Sequence, residues 1–172
     1  FGGQQLGSNG LAECIAVAER ESGWTERAKL APAPGKRRGM GFACTADISG
    51  LLGTGAIVRL LEDGSVVLNT GAVDIGQGSD TVLTQICADA LKIPLDRISI
   101  ASPDTDGSPY NWGTTASRVT YTTGRAVYAA AREVERQIKT HAAELLECAE
   151  ADLELRPGGM VGITGVPGKE LP

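Results

Sequence analysis

The spacing of apolar residues changes several times along the first half of the chain, and each change predicts a different element. Over residues 8–22 apolar side chains recur every three or four positions, which predicts a helix that ends at Gly23. Residues 40–48 are apolar in a pattern that predicts a strand. Asp63-Gly64 lies between two β-branched runs, so a β-hairpin is predicted over residues 55–70.

Helical spacing returns after the hairpin. It predicts an amphipathic helix over residues 80–92, which Pro94 prevents from continuing. A short strand is predicted over 97–101, and a long helix begins near residue 117. A second hairpin is predicted over 153–163. This order of elements favours a mixed α/β (α+β) fold over a doubly wound parallel sheet.

Composition narrows the class of protein. The net charge is −5 and the longest basic run is Lys36-Arg37-Arg38, so a nucleic-acid partner is not expected. The sequence has no apolar stretch near the ~20 residues of a membrane span, so no membrane partner is expected either. The four cysteines lack any C-x-x-C pair, so they predict no metal site of their own and suggest a reduced, cytoplasmic location. Neither Phe1 nor Pro172 resembles a natural terminus, and a fragment is expected.

One candidate binding segment, residues 71–81, joins the predicted hairpin to the following helix. Gly76 and Gly78 allow the backbone to approach a ligand closely, and Gln77 between them can donate and accept hydrogen bonds. The start of the helix offers N–H groups to a polar or anionic ligand. The alternative is a simple turn, with Ser79 or Asp80 capping the helix.

A second candidate segment, residues 111–120, also leads from a polar loop into a helix. Its hydroxyl groups and Arg118 suit a phosphate or the edge of a pterin. The alternative is capping by Ser or Thr, with Arg118 paired to Asp104 or Asp106. If both segments serve a ligand, their similar construction suggests that they converge on the same one.

An ordered set of motifs over roughly residues 8–150 resembles the large, molybdopterin-binding subunit of the xanthine dehydrogenase/aldehyde oxidase/carbon monoxide dehydrogenase family. The matching motifs are the Asp-Gly hairpin at 62–64, G-Q-G at 76–78, L-x-I-P at 91–94, D-T-D at 104–106, G-T-x-x-S-R at 113–118 and G-x-A-x-x-A-A from 124. The resemblance implies a parent molybdenum hydroxylase that oxidises aldehydes, N-heterocycles or related substrates with water as the oxygen source.

The resemblance also implies a site and partners. The implied cofactor is molybdenum-molybdopterin, and its mononucleotide or cytosine dinucleotide form stays open. Iron–sulfur clusters and FAD would lie on partner subunits or domains, and the rest of the molybdopterin subunit would be a further partner. The implied cofactor contacts are Gly76, Gln77, Gly78, Thr115, Ala116, Ser117, Arg118, Val119 and Thr120.

The chain departs from the family pattern in ways that bear on activity. The family's general base is a glutamate in a G-E motif late in the subunit, and no Gly-Glu pair occurs here. We therefore expect no catalytic residue and no activity in the chain alone, with a non-catalytic cofactor-binding or assembly module as the alternative. Phe1-Gly2-Gly3 resembles the family's F-G-G cofactor loop, although that loop normally lies far upstream, and the alternative is an ordinary flexible start. The expected organisation is an N-terminal helix and linker over 1–38 and a partial molybdopterin-binding domain over 39–172.

Overall fold

The computed structural model describes residues 7–172, which divide into two compact units on either side of the Asp47–Ile48 bond. The first unit contains helix α1, Leu11–Ser22, which ends as predicted at Gly23 in a left-handed conformation with φ 67°. A 3₁₀ helix, Trp24–Lys29, follows it. Among residues 7–47 no side chain is buried. The Phe1-Gly2-Gly3 motif lies outside the described residues.

The predicted strand over residues 40–48 is wrong. These residues have extended or irregular backbone and pair with no strand in the described part of the chain. An extended segment becomes a strand only when a neighbour satisfies its N–H and C=O groups. The apolar pattern alone could not show whether such a neighbour exists.

The second unit is built on a three-stranded sheet in the order β1-β2-β3. Strands β1, Ala56–Leu60, and β2, Val66–Thr70, form the predicted antiparallel hairpin, with Ala56 opposite Thr70. Strand β3, Ile98–Ala101, runs parallel to β2 after a crossover through helix α2, Ser79–Leu91. This mixed pairing confirms the α/β fold class and brings both ends of α2 close to the sheet.

Helix α3, Gly124–Leu146, packs against α2 and the sheet, and it is preceded by a π-helical turn, Val119–Thr123. Leu68, Leu83 and Val127 are fully buried where these elements meet. A Cβ atom added at Gly124 would lie 2.7 Å from Cδ1 of Ile86 on α2. The absence of a side chain at Gly124 therefore permits the close packing of α3 against α2.

A second, smaller antiparallel sheet follows α3. Its strands are β4, Leu153–Arg156, β5, Met160–Ile163, and β6, Glu170–Leu171, so the predicted C-terminal hairpin is confirmed. Ala142 of α3 packs with buried residues of β4 and β5 in a separate small core. Within residues 7–172, no helix combines the length and apolar character that a membrane crossing requires.

Candidate functional site

The two candidate segments meet at one cavity of about 400 Å³. Gln77 and Ile75 line one side, and residues 114–120 line the other. The segments also bond directly, because the N–H of Val73 donates to Oγ1 of Thr114 at 3.0 Å and this hydroxyl donates to the carbonyl of Val73 at 2.9 Å. The two segments therefore lie side by side, as a shared ligand would require, and the ligand itself stays a prediction. Gly76 and Gly78 lie beside the cavity in sequence but do not line it.

The side chain of Gln77 is folded back onto its own loop. Its Oε1 accepts from the N–H of Ile75 at 2.7 Å, and its Nε2 donates to the carbonyl of Val73 and to Oγ of Ser79. Gly76 and Gly78 on either side have φ values of 102° and 78°, which L side chains rarely adopt. The two glycines are therefore required by the shape of the loop, and Gln77 fixes that shape while lining the cavity.

Asp74 caps helix α2, a role that the sequence analysis missed. One carboxylate oxygen accepts from the N–H groups of Gly76 and Gly78, and the other accepts from the N–H of Asp80 at 3.2 Å. The alternative, in which Ser79 or Asp80 caps the helix, is wrong, since no side chain at the helix end itself makes a capping bond. The signal was available in the spacing of Asp74 to the two glycines, which is typical of an Asx turn.

This capping makes stability depend on pH. The backbone N–H of Gly76, followed by that of Asp80, lowers the pKa of Asp74. A carboxyl whose folded-state pKa is depressed stabilises the fold above its unfolded pKa of about 4, and this contribution disappears as pH falls through the folded value. We expect Asp74→Asn to be less stable than the wild type at pH 7, and the difference to shrink below about pH 4. Urea unfolding of both proteins between pH 7 and pH 3 measures it.

Asp80 provides a matched control with the opposite sign. Desolvation, with a smaller contribution from the charge of Asp74, raises the pKa of Asp80. Ionised Asp80 therefore opposes folding at neutral pH, and Asp80→Asn should stabilise the protein at pH 7 and lose this effect in acid. If Asp74→Asn shows the same stability difference from pH 7 to pH 3, Asp74 does not cap the helix as a carboxylate.

The second loop contains two consecutive non-glycine residues in the left-handed region. Ala116 has φ 46° and Ser117 has φ 47°, and both line the cavity. Such conformations cost of order 1 kcal/mol each and concentrate at binding and catalytic sites. The loop then enters the π-helical turn, and turns of this kind are also frequent at functional sites. The start of the combined helix, at Val119 and Thr120, lines the cavity and presents N–H groups that have no acceptor within the helix.

Arg118 is completely buried, and its guanidinium bonds to oxygen atoms of the protein at every donor. Its Nε donates to the carbonyl of Leu51, Nη2 donates to those of Leu52 and Gly53, and Nη1 donates to the carbonyl of Gly113 and to Oδ1 of Asn111. The distances lie between 2.8 and 3.1 Å. The predicted pairing with Asp104 or Asp106 is therefore wrong.

Asn111 connects the arginine to the rest of the unit. Its Nδ2 donates to Oγ1 of Thr54 at 2.8 Å and to Oγ1 of Thr123 at 3.2 Å. Its Oδ1 accepts from Nη1 of Arg118 and from the N–H of Gly113. All the polar atoms of the amide thus have partners, and the network ties the second loop to both the β1 side and the π-helical turn. Such networks confer rigidity only when every member is satisfied.

The wall of the cavity combines hydroxyl groups and backbone amides with the apolar side chains of Ile75 and Val119. Thr114, Thr115 and Thr120 supply hydroxyl groups, and the π-helical turn adds the positive end of a helix dipole. No group of three His, Cys, Asp or Glu side chains that could bind a metal occurs in residues 7–172. Chemically, the cavity suits the hydrogen-bonding edge or the anionic end of an organic ligand.

Comparison with known proteins finds similarity over most of the chain. The molybdopterin cofactor-binding domain family matches residues 17–171. The chain is 34% identical to the xanthine dehydrogenase molybdenum-binding subunit of Escherichia coli O157:H7 over 167 residues, which are 92% of the chain and 22% of that protein. It is 40% identical to the carbon monoxide dehydrogenase large chain of Afipia carboxidovorans over 117 residues, 67% of the chain and 14% of that protein.

Solved structures agree with these matches. The Cu,Mo-CO dehydrogenase in its carbon monoxide-reduced state superimposes with a TM-score of 0.64 at 38% identity, covering 69% of this chain and 15% of that one. Quinoline 2-oxidoreductase from Pseudomonas putida 86 gives 0.64 at 34% identity over the same shares. The chain thus spans less than a quarter of the length of each relative named here.

Proposed function

Because the chain belongs to the molybdopterin cofactor-binding domain family, we propose that the cavity between Gln77 and residues 114–120 holds the pterin and phosphate end of a molybdenum cofactor. The observation that carries this proposal is the convergence of two hydrogen-bonding loops on one cavity. Of the nine residues implied by the family resemblance, the proposed contacts are those that line the cavity: Gln77, Thr115, Ala116, Ser117, Val119 and Thr120. Gly76 and Gly78 shape the first loop, and the guanidinium of Arg118 bonds to the protein instead.

The residues present fit such a group. The pterin edge needs hydrogen-bond donors and acceptors, which the backbone of Gln77 and the hydroxyl of Thr115 can supply at the cavity wall. The phosphate needs N–H groups and a positive potential, which the start of the π-helical turn at Val119 and Thr120 provides. The start of α2 is less suited to this purpose, because the carboxylate of Asp74 already accepts from the N–H groups of Gly78 and Asp80 there.

The reaction of the parent protein is part of the proposal. When bound, the cofactor supplies two-electron oxidation of an aldehyde, N-heterocycle or related substrate, with water as the oxygen source. This chain's own residues hold and orient the cofactor and exclude water from its polar edge. The general base is a glutamate outside this chain. Iron–sulfur and flavin subunits or domains are the proposed electron-transfer partners, and the cytosine dinucleotide is one proposed form of the cofactor.

Thr120 offers a sharp test because it is exposed and lines the cavity. Thr120→Glu and Thr120→Gln add side chains of nearly equal size that differ in charge. In the full-length protein that contains this chain, we expect Glu to lower bound molybdenum and pterin at least tenfold, by repulsion of the phosphate. We expect Gln to keep most of both. Metal analysis and fluorescence of the oxidised pterin measure the two contents.

The outcomes separate the alternatives. An equal loss in Thr120→Glu and Thr120→Gln would contradict placement of an anionic group at the π-helical turn. A wild-type protein purified without molybdenum or pterin would overturn the proposed function itself. A protein that retains the cofactor but oxidises neither aldehydes nor N-heterocycles would support the alternative of a non-catalytic binding or assembly module.

A further inference from the structure

We propose that Arg118 is a positioning residue that controls cofactor affinity without bonding to the cofactor, by holding the strained turn at Ala116–Ser117 in its binding shape. This inference rests on the proposed function and assigns Arg118 a role different from direct phosphate recognition. Arg118 lines the cavity, yet its guanidinium is directed into the protein and not toward a ligand.

The hydrogen bonds of Arg118 leave nothing for a ligand. A guanidinium has five N–H donors. All five are matched by the carbonyls of Leu51, Leu52, Gly53 and Gly113 and by the side-chain oxygen of Asn111. Bonding to a phosphate would require one of these bonds to break inside a buried network. The direct contact would therefore gain little over the bond that it replaces.

The same bonds explain how Arg118 shapes the loop. The side chain joins residues 51–53 to residues 111–113, and its own backbone closes the turn by donating from N–H to the carbonyl of Thr115 at 3.1 Å. The N–H of Gly50 then donates to the carbonyl of Ala116 at 3.2 Å. Ala116 and Ser117 are thus held at both ends in a conformation that alanine and serine do not favour.

The choice of arginine has a physical reason. A lysine in the same place would keep the positive charge but has only three donors on a flexible stem, so it could not join both segments at once. A methionine would remove the charge and all the donors. Comparison of these two substitutions therefore separates the geometric role of Arg118 from any purely electrostatic one.

The test uses the full-length protein and compares Arg118→Lys, Arg118→Met and the core control Val127→Ala. Hydrogen exchange of the amides in residues 113–120, bound molybdenum and the thermal midpoint are measured for each. In both Arg118 variants we expect the amides of this segment to exchange at least tenfold faster than in the wild type. We expect both variants to bind at most a tenth of the wild-type molybdenum. Val127→Ala should lower the thermal midpoint but leave the molybdenum content and this segment's exchange close to wild type.

A rescue provides the readout that a general loss of stability would not give. Glycine adopts the left-handed conformation at little cost. The double variant Ala116→Gly with Arg118→Lys should therefore bind at least three times as much molybdenum as Arg118→Lys alone. If Arg118→Lys alone does not accumulate as folded protein, the molybdenum content of the double variant is compared with that of the wild type instead. Absence of rescue, or failure of the double variant to fold, would overturn the proposal.

Two further outcomes would also decide the matter. If Arg118→Lys keeps wild-type molybdenum while Arg118→Met loses it, charge alone is sufficient and the positioning role is wrong. If the wild-type protein holds no cofactor, the proposed function fails. Hydrogen exchange needs no ligand, so comparing the variants with the wild type would still show whether Arg118 stabilises the conformation of residues 113–120.

Discussion

Replacing Asn111 with leucine is expected to lower the free energy of unfolding by about 2–4 kcal/mol, because several polar groups lose a hydrogen-bond partner at once. Leucine keeps the branched shape and the number of heavy atoms of asparagine but has no polar side-chain atom, so the buried Arg118 loses one acceptor. The hydroxyl groups of Thr54 and Thr123 and the N–H of Gly113 lose their partner as well. Burying a charge with incomplete compensation is among the most costly changes available to a fold. Denaturant unfolding of both proteins measures the difference.

Thr54→Val is the matched control for Asn111→Leu. It removes the acceptor of a single hydrogen bond from the same network, while the amide of Asn111 keeps its bond to Thr123. The expected cost is about 1 kcal/mol. Equal effects of Asn111→Leu and Thr54→Val would show that the connection from Asn111 to Arg118 adds nothing to stability.

Leu68→Ala is expected to lower the free energy of unfolding by about 2–5 kcal/mol. Leu68 lies in the middle of strand β2, is fully buried and packs in the core beneath helices α2 and α3. Truncation leaves a cavity that the surrounding sheet and helices can close only in part. Thermal or denaturant unfolding in parallel with the wild type measures the loss.

Val67→Ala provides the comparison on the opposite face of the same strand. Val67 is only half-buried and lies outside the core cluster, so its truncation should cost less than about 1.5 kcal/mol. A cost equal to that of Leu68→Ala would mean that both faces of the sheet are packed to the same extent. The described residues place both helices on the Leu68 side.

The capping of helix α2 shows where local sequence reasoning reached its limit. The spacing of apolar residues indicated the helix to within one residue at each end, because amphipathic periodicity is a local property. The cap came from Asp74, five residues before the helix begins. Capping was expected at Ser79 or Asp80 because adjacent residues are the usual choice. The loop conformation that places the Asp74 carboxylate at the start of α2 depends on Gly76 and Gly78 together.

Arg118 shows a limit of a different kind. Its residue type favoured an anionic partner, either a ligand phosphate or a nearby aspartate. The structure pairs it mainly with backbone carbonyls more than sixty residues earlier in the chain. Backbone acceptors leave no trace in the identity of the residues that carry them. No sequence pattern could therefore have shown that Leu51, Leu52 and Gly53 would satisfy this side chain.

The sequence by itself determined the order of helices and hairpins in the second unit, the mixed fold class and the two loops around Gln77 and residues 114–120. These features follow from periodicity, turn chemistry and motif order, which act over a few neighbouring positions. Tertiary structure decided that the loops share one cavity, that Arg118 is turned away from it and that residues 40–48 form no strand. Each of these outcomes depends on the partner that a polar group finds at a distance, and that partner exists only once the chain has folded.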